Sequence, residues 1–434
     1  MKIIVVGTGY VGLVSGVCFA KIGHEVICVD QDKNKISKLK NGEIPIYEPG
    51  LKEILASAVK NKKITFSDNL SEVINSGDVV FVAVGTPQSE IDGSADLSFV
   101  YAVAAEIAKS STSYKLIVTK STVPVGTGAE VAAIVKKNNP NLEFSVASNP
   151  EFLREGAAID DFMKPDRIVV GINDDRSKKI MDEIYAPLTS QGALLIFTDI
   201  PTAELIKYAA NSFLATKIAF INEMADLCEK TGADVKKLSF GIGTDSRIGG
   251  KFLNPGPGFG GSCFPKDILA LENIAKKNNS ELSVVRAVIK SNDTRKLNMV
   301  KKVIAACDGN VRGKTIAILG LAFKGNTDDI RYSPSLVIIR ELIKLGAKIK
   351  TYDKEAIENT KKELGQNTNI LYFDNAYEAA KEADAIVIAT EWDEFKNLDL
   401  NKLSKNQIII DLRNMLDADK IKAAGFKYLF IGGK

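Results

Sequence analysis

The segment Gly7-Thr8-Gly9-Tyr10-Val11-Gly12 constrains the fold of this chain more than any other, because of what stands on either side of it. Before it, Lys2-Ile3-Ile4-Val5-Val6 is a short apolar run rich in β-branched residues, which predicts a buried strand. After it, Val11 to Ile22 follows an apolar helical pattern, and a second strand pattern ends at Asp30. The first two glycines permit a tight turn and close approach of a pyrophosphate to the helix N-terminus, and the third lets helix and strand pack closely. A lone Gly-x-Gly-x-x-Gly is weak, but between a strand and a helix, with an acid after the next strand, it predicts a dinucleotide-binding α/β fold. Gly7, Gly9, Tyr10, Val11 and Gly12 are then the expected cofactor contacts. Asp30 would accept hydrogen bonds from the adenosine ribose and repel a 2′-phosphate, which favours NAD over NADP. Lys35, one turn into the next helix, either lies near that ribose or is a solvated helix charge.

Further α/β units follow. Val79 to Val84 is a strand ending at Gly85-Thr86-Pro87, Lys115 to Thr119 one ending at Lys120-Ser121-Thr122-Val123-Pro124, and Glu143 to Ala147 one ending at Ser148-Asn149-Pro150-Glu151-Phe152-Leu153-Arg154-Glu155-Gly156. In a doubly wound sheet ligands sit beyond the carboxyl ends of strands, so Thr122, Glu151 and Glu155 are candidates for the nicotinamide end of a site. Helix starts also favour surface glutamates through the dipole alone.

The single histidine, His24, lies in the turn Gly23-His24-Glu25 and is expected to be exposed. A Ser-His-Asp hydrolase or a His-dependent dehydrogenase is hard to build from one such residue, and without a Cys-x-x-Cys or a His pair no metal site is expected. Acid and base work falls to Lys, Asp, Glu or water. A net charge of +3 gives no support to a nucleic-acid partner. No run of about 18 apolar residues occurs and the chain enters a strand at once, so a cytoplasmic protein with no membrane span is expected.

Five cysteines, odd in number and widely spaced, fit free thiols in a reducing compartment. Cys18, Cys28, Cys228 and Cys307 stand in apolar helix or strand patterns as small core residues. Cys263 differs: it stands in Gly258-Phe259-Gly260-Gly261-Ser262-Cys263-Phe264-Pro265-Lys266-Asp267, with glycines before it and an ammonium and a carboxylate after it. A tight turn with a merely buried thiol is the commoner fate of an isolated Gly-Gly-Ser-Cys. Among these neighbours a reactive thiolate is the alternative, suited to holding a carbonyl carbon between two steps.

Between the lobes, Ala203 to Thr231 and Ser283 to Ala306 read as long helices, suited to a connecting spine or a subunit contact. Lys207 and Asn211 are four residues apart on one face of the first, among Tyr208, Phe213 and Leu214. A partly buried ammonium with an amide beside it could hold an oxyanion. The Gly- and Pro-rich stretch from Arg247 to Pro257 is an irregular loop leading into the cysteine motif.

The C-terminal third repeats the first in element order. Gly346 to Asp353 echoes Gly23 to Asp30, Glu382 to Thr390 echoes Ser76 to Gly85, and Gln407 to Arg413 echoes Leu116 to Thr122. Its first loop, Gly320 to Arg331, lacks the glycine fingerprint but carries Lys324 and Arg331, cations suited to phosphate. The expected architecture is α/β, two Rossmann-like doubly wound lobes joined by a long helical central segment. Residues 1–200 form the NAD lobe, 201–308 the helical segment with the cysteine loop, and 309–434 a lobe for a phosphorylated partner.

With these residues assembled, the chain resembles the nucleotide-sugar dehydrogenase family over nearly its whole length. The carriers are Gly7 to Leu13, Ser121-Thr122-Val123-Pro124, Asn149 to Gly156, Lys207 with Asn211, Arg247 to Gly250, Gly258 to Asp267, and Phe323-Lys324 to Arg331. Phe252-Leu253 with Phe264-Pro265-Lys266-Asp267 favours the branch acting on UDP-glucose over those acting on GDP-mannose or UDP-N-acetyl hexosamines. The resemblance implies a twofold NAD-dependent oxidation of the sugar C6 alcohol to a carboxylate, through a thiohemiacetal and a thioester on Cys263. It implies that Lys207 and Asn211 stabilise oxyanions, that Asp267 transfers a proton or orients water, and that Thr122, Glu155 and Glu151 organise a water near C6. Lys207 as general base in the first step stays open.

For NAD it implies contacts from Gly7 to Gly12, Asp30, Lys35, Thr86, Thr122, Glu155, Lys266 and Arg331. For the UDP-sugar it implies Glu151, Phe152, Leu153, Glu155, Lys207, Asn211, Phe252, Leu253, Asn254, Pro255, Gly256, Gly260 and Lys324. Arg247 would reach the substrate of a neighbouring subunit, so a homodimer is expected. A single-step dehydrogenase of the 6-phosphogluconate type also combines a Rossmann lobe with a Lys and Asn pair, but has no use for Cys263 or a second nucleotide lobe.

Overall fold

The structure, a computed structural model, describes residues 1–89 and 93–433. Eight strands form the first sheet: β1 (Lys2–Val6), β2 (Glu25–Val29), β3 (Ile64–Ser67), β4 (Val79–Val82), β5 (Lys115–Thr119), β6 (Phe144–Ser148), β7 (Ile168–Gly171) and β8 (Leu195–Thr198). Their order is β3-β2-β1-β4-β5-β6-β7-β8, all neighbours pairing in parallel except β6 with β7. The apolar runs explain this. A parallel sheet is covered on both faces, so its strands need no polar alternation. Ile3 and Val5 enter one buried cluster with Leu13, Val17 and Phe19, while Ile4 and Val6 enter another with Val80, Val82, Val100 and Ile107. The sheet is thus the middle of three layers.

Six strands form the second sheet: β9 (Thr315–Leu319), β10 (Lys348–Tyr352), β11 (Ile370–Tyr372), β12 (Ala385–Ile388), β13 (Ile408–Asp411) and β14 (Lys427–Phe430). The order β11-β10-β9-β12-β13-β14 is all parallel and repeats the order of the first six strands of the other sheet. Ile316 and Ile318 face one core and Ala317 and Leu319 the other. The echo heard in the sequence is therefore a repeat of topology.

The chain divides into two compact units, residues 1–210 with 269–280, and 211–268 with 281–434. The helix Ile200–Thr231 runs unbroken from the first into the second. Within the second unit its residues Ile221, Ala225 and Cys228 join the core of the second sheet together with Met299 and Val303 of the helix Ser283–Ala306.

Cys18, Cys28, Cys228 and Cys307 are buried, as their patterns required. His24 corrects an expectation: it is 5% exposed, not a surface residue. Its Nε2 lies 2.8 Å from the carbonyl oxygen of Ile184, on the helix Asp175–Thr189, and its Nδ1 lies 3.3 Å from the amino terminus. Burial pushes its pKa down. A distant helix covers the turn, and nothing local in the sequence announces that helix.

Candidate active site

The glycine turn meets the steric demands read from it. Gly7 has φ +98°, and a Cβ on Gly12 would stand 1.9 Å from the carbonyl oxygen of Gly7. Nothing lies within 4 Å of where a Cβ on Gly9 would be. Beyond β2, Asp30 accepts from the Thr8 amide at 2.8 Å and the Thr8 hydroxyl at 2.7 Å, and its other oxygen from the Asp32 amide at 3.0 Å. Lys35 pairs with it at 3.2 Å. Burial pushes the Asp30 carboxyl up, but the three donors and Lys35 outweigh it and hold the pKa below the ordinary value. These residues fit NAD: a turn without room for a side chain at Gly12, an open approach at Gly9, and an ionised acid on the ribose side.

Thr86, Thr122 and Glu151 follow β4, β5 and β6, neighbours in the sheet. The Thr86 hydroxyl donates to the Thr122 carbonyl at 3.0 Å, and that of Ser121 to the Val84 carbonyl at 2.6 Å, fixing both turns to each other. Glu151 and Lys207 form a buried ion pair, 3.2 Å apart with both side chains 4% exposed. The second Glu151 oxygen accepts from the Leu153 amide at 2.5 Å, and the Lys207 ammonium stands 5.3 Å from the Phe152 ring centre. Beneath them the Lys120 ammonium donates to Asn149 Oδ1 at 3.0 Å. Burial pushes Lys120 down to about 8; Glu151 acts against that shift and Lys207 with it. One carboxylate thus faces two ammonium groups away from water, which keeps net positive charge where an oxyanion would form.

In the second unit, Cys263 is the one cysteine that is not buried. The Asp267 amide donates to the Cys263 carbonyl at 2.9 Å, so Cys263 stands at the N-terminus of the helix Phe264–Lys277. That end of a helix favours a negative sulfur. Asp267, 1% exposed, accepts from Asn211 Nδ2 at 2.7 Å and from the Lys266 ammonium at 2.7 Å. The carboxylate therefore orients the Asn211 amide by taking one of its two N–H donors.

The loop before Cys263 is held by its backbone. Asn222 accepts from the Gly256 amide at 2.8 Å, Arg295 donates to the Gly256 carbonyl at 2.9 Å, and Asn292 brackets Phe259 through both its amide and its carbonyl. Phe252 has φ +65°, a left-handed conformation for a residue with a side chain. Leu253 is 1% exposed, and its carbonyl accepts from the Ser239 hydroxyl at 2.6 Å. A Cβ on Gly260 would meet the Tyr332 carbonyl oxygen at 2.6 Å. Asn254 and Pro255 open on a cavity of about 660 Å³ that Lys236, Lys396 and Arg413 also line. Glu391 lines it too and pairs with Arg413 at 2.9 Å, so three cations face one carboxylate and the net positive lining suits a diphosphate.

Some expected residues stand apart from these clusters. Arg331 is paired with Asp329 at 2.8 Å and Arg247 with Asp245 at 2.6 Å, both arginine side chains largely exposed. Lys324 lies 5.6 Å from the Phe323 ring centre. Residues that the sequence reading passed over include Lys120, Arg413, Asn292 and Glu48. Lys120 directly follows β5 and Arg413 stands two residues beyond β13, and the rule that ligands gather at the carboxyl ends of parallel strands marks both positions. No signal in the sequence distinguishes Asn292 from other polar helix residues.

Among the described residues no helix is long and apolar enough to cross a membrane, and no group of three His, Cys, Asp or Glu side chains could hold a metal ion.

Comparison with known proteins agrees with this geometry. Three sequence models of the UDP-glucose/GDP-mannose dehydrogenase family match: its NAD binding domain over residues 1–189, its central domain over 201–294 and its UDP binding domain over 317–418. The chain is 52% identical to the UDP-glucose 6-dehydrogenase of Rhizobium meliloti (strain 1021), covering 100% of this chain and 99% of that one. It is 48% identical to UDP-glucose 6-dehydrogenase TuaD of Bacillus subtilis (strain 168), covering 99% and 93%. The solved UDP-glucose dehydrogenase of Pyrobaculum islandicum superposes with a TM-score of 0.93 at 36% identity, over 100% of this chain and 98% of that one. The chain belongs to the UDP-glucose/GDP-mannose dehydrogenase family.

Proposed function

We propose that this protein oxidises UDP-glucose at C6 to UDP-glucuronate, with two NAD reduced per sugar and no free aldehyde released. The observation that carries this reading is Cys263, the unburied thiol at a helix N-terminus beside the Asn211, Asp267 and Lys266 chain. NAD, when bound, accepts a hydride from C6 in each of the two oxidations. The residues that would hold it are Gly7 to Gly12, Asp30, Lys35, Thr86, Thr122, Glu155, Lys266 and Arg331.

In the first oxidation the C6 hydroxyl gives its proton to a water organised by Thr122 and Glu155, and Glu151 anchors Lys207, whose ammonium holds the developing oxyanion. The Cys263 thiolate then adds to the aldehyde carbon and a proton goes to its oxygen, forming a thiohemiacetal. When C6 loses its second hydride and the hydroxyl its proton, Cys263 carries a thioester. Water, oriented by Asp267, attacks that carbonyl; the carbon–sulfur bond breaks, the carboxylate leaves, and the sulfur departs as thiolate. Lys207 and the Asn211 amide donate to the oxyanion in each addition. The division 1–200, 201–308 and 309–434 assigns these tasks to an NAD lobe, a cysteine-bearing helical segment and a UDP-sugar lobe.

For the sugar nucleotide, Glu151, Phe152, Leu153, Phe252 to Gly256, Gly260 and Lys324 are the proposed contacts. Leu253 would act through its backbone, since its side chain is in the core. A homodimer is also proposed, with Arg247 reaching the partner's substrate. The exposure of Phe213, Phe220 and Leu227, seven residues apart along one face of the helix Ile200–Thr231, supports it.

The test is the number of NADH formed per UDP-glucose consumed. Two is expected; one would replace the thioester route with a single-step dehydrogenase. A parallel panel of GDP-mannose and UDP-N-acetyl sugars decides between UDP-glucose and its relatives.

A further inference from the structure

Glu48 lies in the loop between the helices Lys33–Lys40 and Leu51–Lys60, a loop in which no residue has been assigned a role above. It is 7% exposed, and three donors from two other segments converge on it. One oxygen accepts from the Tyr10 hydroxyl and from the Gly156 amide, the latter at 2.7 Å. The other accepts from the Ala158 amide at 2.7 Å. The Gly156 amide also lies 3.1 Å from the Tyr10 oxygen, which closes a small ring of contacts. Burial, helped by the Glu48 carboxylate, pushes the Tyr10 pKa up, so the phenol keeps its proton and donates.

The placement of these partners gives the contact its meaning. Tyr10 is the first residue of the helix opened by the glycine turn; Gly156 lies near the end of the loop that starts at Asn149 and carries Glu151 and Glu155, and Ala158 opens the helix after it. We propose that Glu48 is a positioning residue that fastens the dinucleotide turn to the Glu151–Glu155 loop, so that the two are held in register for hydride transfer. This rests on the assignment of the glycine turn to NAD and of Glu151 to the reaction. A carboxylate suits the task because all three partners are donors. If the loop withdrew, a buried charge and two amides would lose their partners together, so the loop has one strongly preferred position. An amide in its place presents donors to donors on one side.

The experiment compares Glu48→Gln, Tyr10→Phe and the double variant with wild type, reading kcat, KM for NAD, KM for UDP-glucose and NAD affinity by calorimetry. Glu48→Gln is expected to lower kcat by about tenfold or more and to weaken NAD binding, with Tyr10→Phe acting in the same direction by less. In the Glu48→Gln background Tyr10→Phe should cost little more, since both cut the same link. If both variants only lower the thermal midpoint and leave kcat and both KM values as in wild type, Glu48 is a structural acid and the proposal fails. It fails equally if the two effects multiply independently. Should Glu48→Gln not fold, an unchanged kcat and NAD affinity in Tyr10→Phe overturns it and a joint fall supports it. A wild-type protein that turns over no sugar nucleotide would refute the functional reading instead, while calorimetric NAD affinity still reports on Glu48.

Discussion

Of five chemically similar thiols, four are core residues, and only Cys263 combines partial exposure with a helix N-terminus. Its chemistry therefore comes from position. In Cys263→Ser the same carbon would be held as an ester, whose alkoxide leaves far less readily than a thiolate. The expected result is a burst of NADH followed by arrest, with steady-state turnover down on the order of a hundredfold or more. The intact mass of that variant should show the sugar still attached through the new hydroxyl, and wild-type turnover would remove the covalent role. Lys207 and Asn211 illustrate the other half of the residue scale. Their spacing put them on one helix face, but their partners, Glu151 and Asp267, come from segments each 56 positions away.

At the scale of elements, the two nucleotide-type sheets share strand order while their first turns differ. After β2, Asp30 is held by Thr8 and Lys35 and keeps an outward side; after β10, the matching Asp353 is 1% exposed and consumed by the Leu321 and Ala322 amides and the Trp392 indole, at 2.7, 3.1 and 3.0 Å. In the second sheet the carboxylate at this position braces its own loop. In the first sheet, glycine positions separate folding from binding. Gly12→Val would drive a side chain into the Gly7 carbonyl, costing about 1–3 kcal/mol or more as helix and strand part. A Cβ on Gly9 would meet no atom within 4 Å beyond its own chain neighbours, so Gly9→Val should leave the thermal midpoint near wild type and abolish NAD binding. Thermal melts beside calorimetry check both, and a Gly9→Val protein that binds NAD normally would contradict the assignment of the turn.

At the scale of the whole molecule, Phe213, Phe220 and Leu227 are 66%, 47% and 51% exposed, an apolar stripe that a lone chain leaves in water. Light scattering should return twice the chain mass of 47.0 kDa for wild type. Phe220→Glu should return the single-chain mass and lose activity together with it, and a wild-type monomer at working concentration would refute the homodimer.

Much of this architecture was legible along the chain because it is encoded locally. Runs of β-branched residues make a strand wherever both faces are covered. Glycines mark where a backbone must come close, and the spacing of four between Lys207 and Asn211 sets a helix face. The repeat carried by β10, β12 and β13 could likewise be heard as element order. What only the tertiary structure decided is pairing: that His24 is roofed by a distant helix, that Lys207 pairs with Glu151 while Lys120 is held by Asn149, that Asn222, Asn292 and Arg295 hold the loop before Cys263, and that Glu48 ties Tyr10 to Gly156. A buried polar group must find partners, but many partners along a chain satisfy that demand equally. Only the folded backbone chooses among them, because hydrogen bonds reach about 3 Å and the sequence carries no distances.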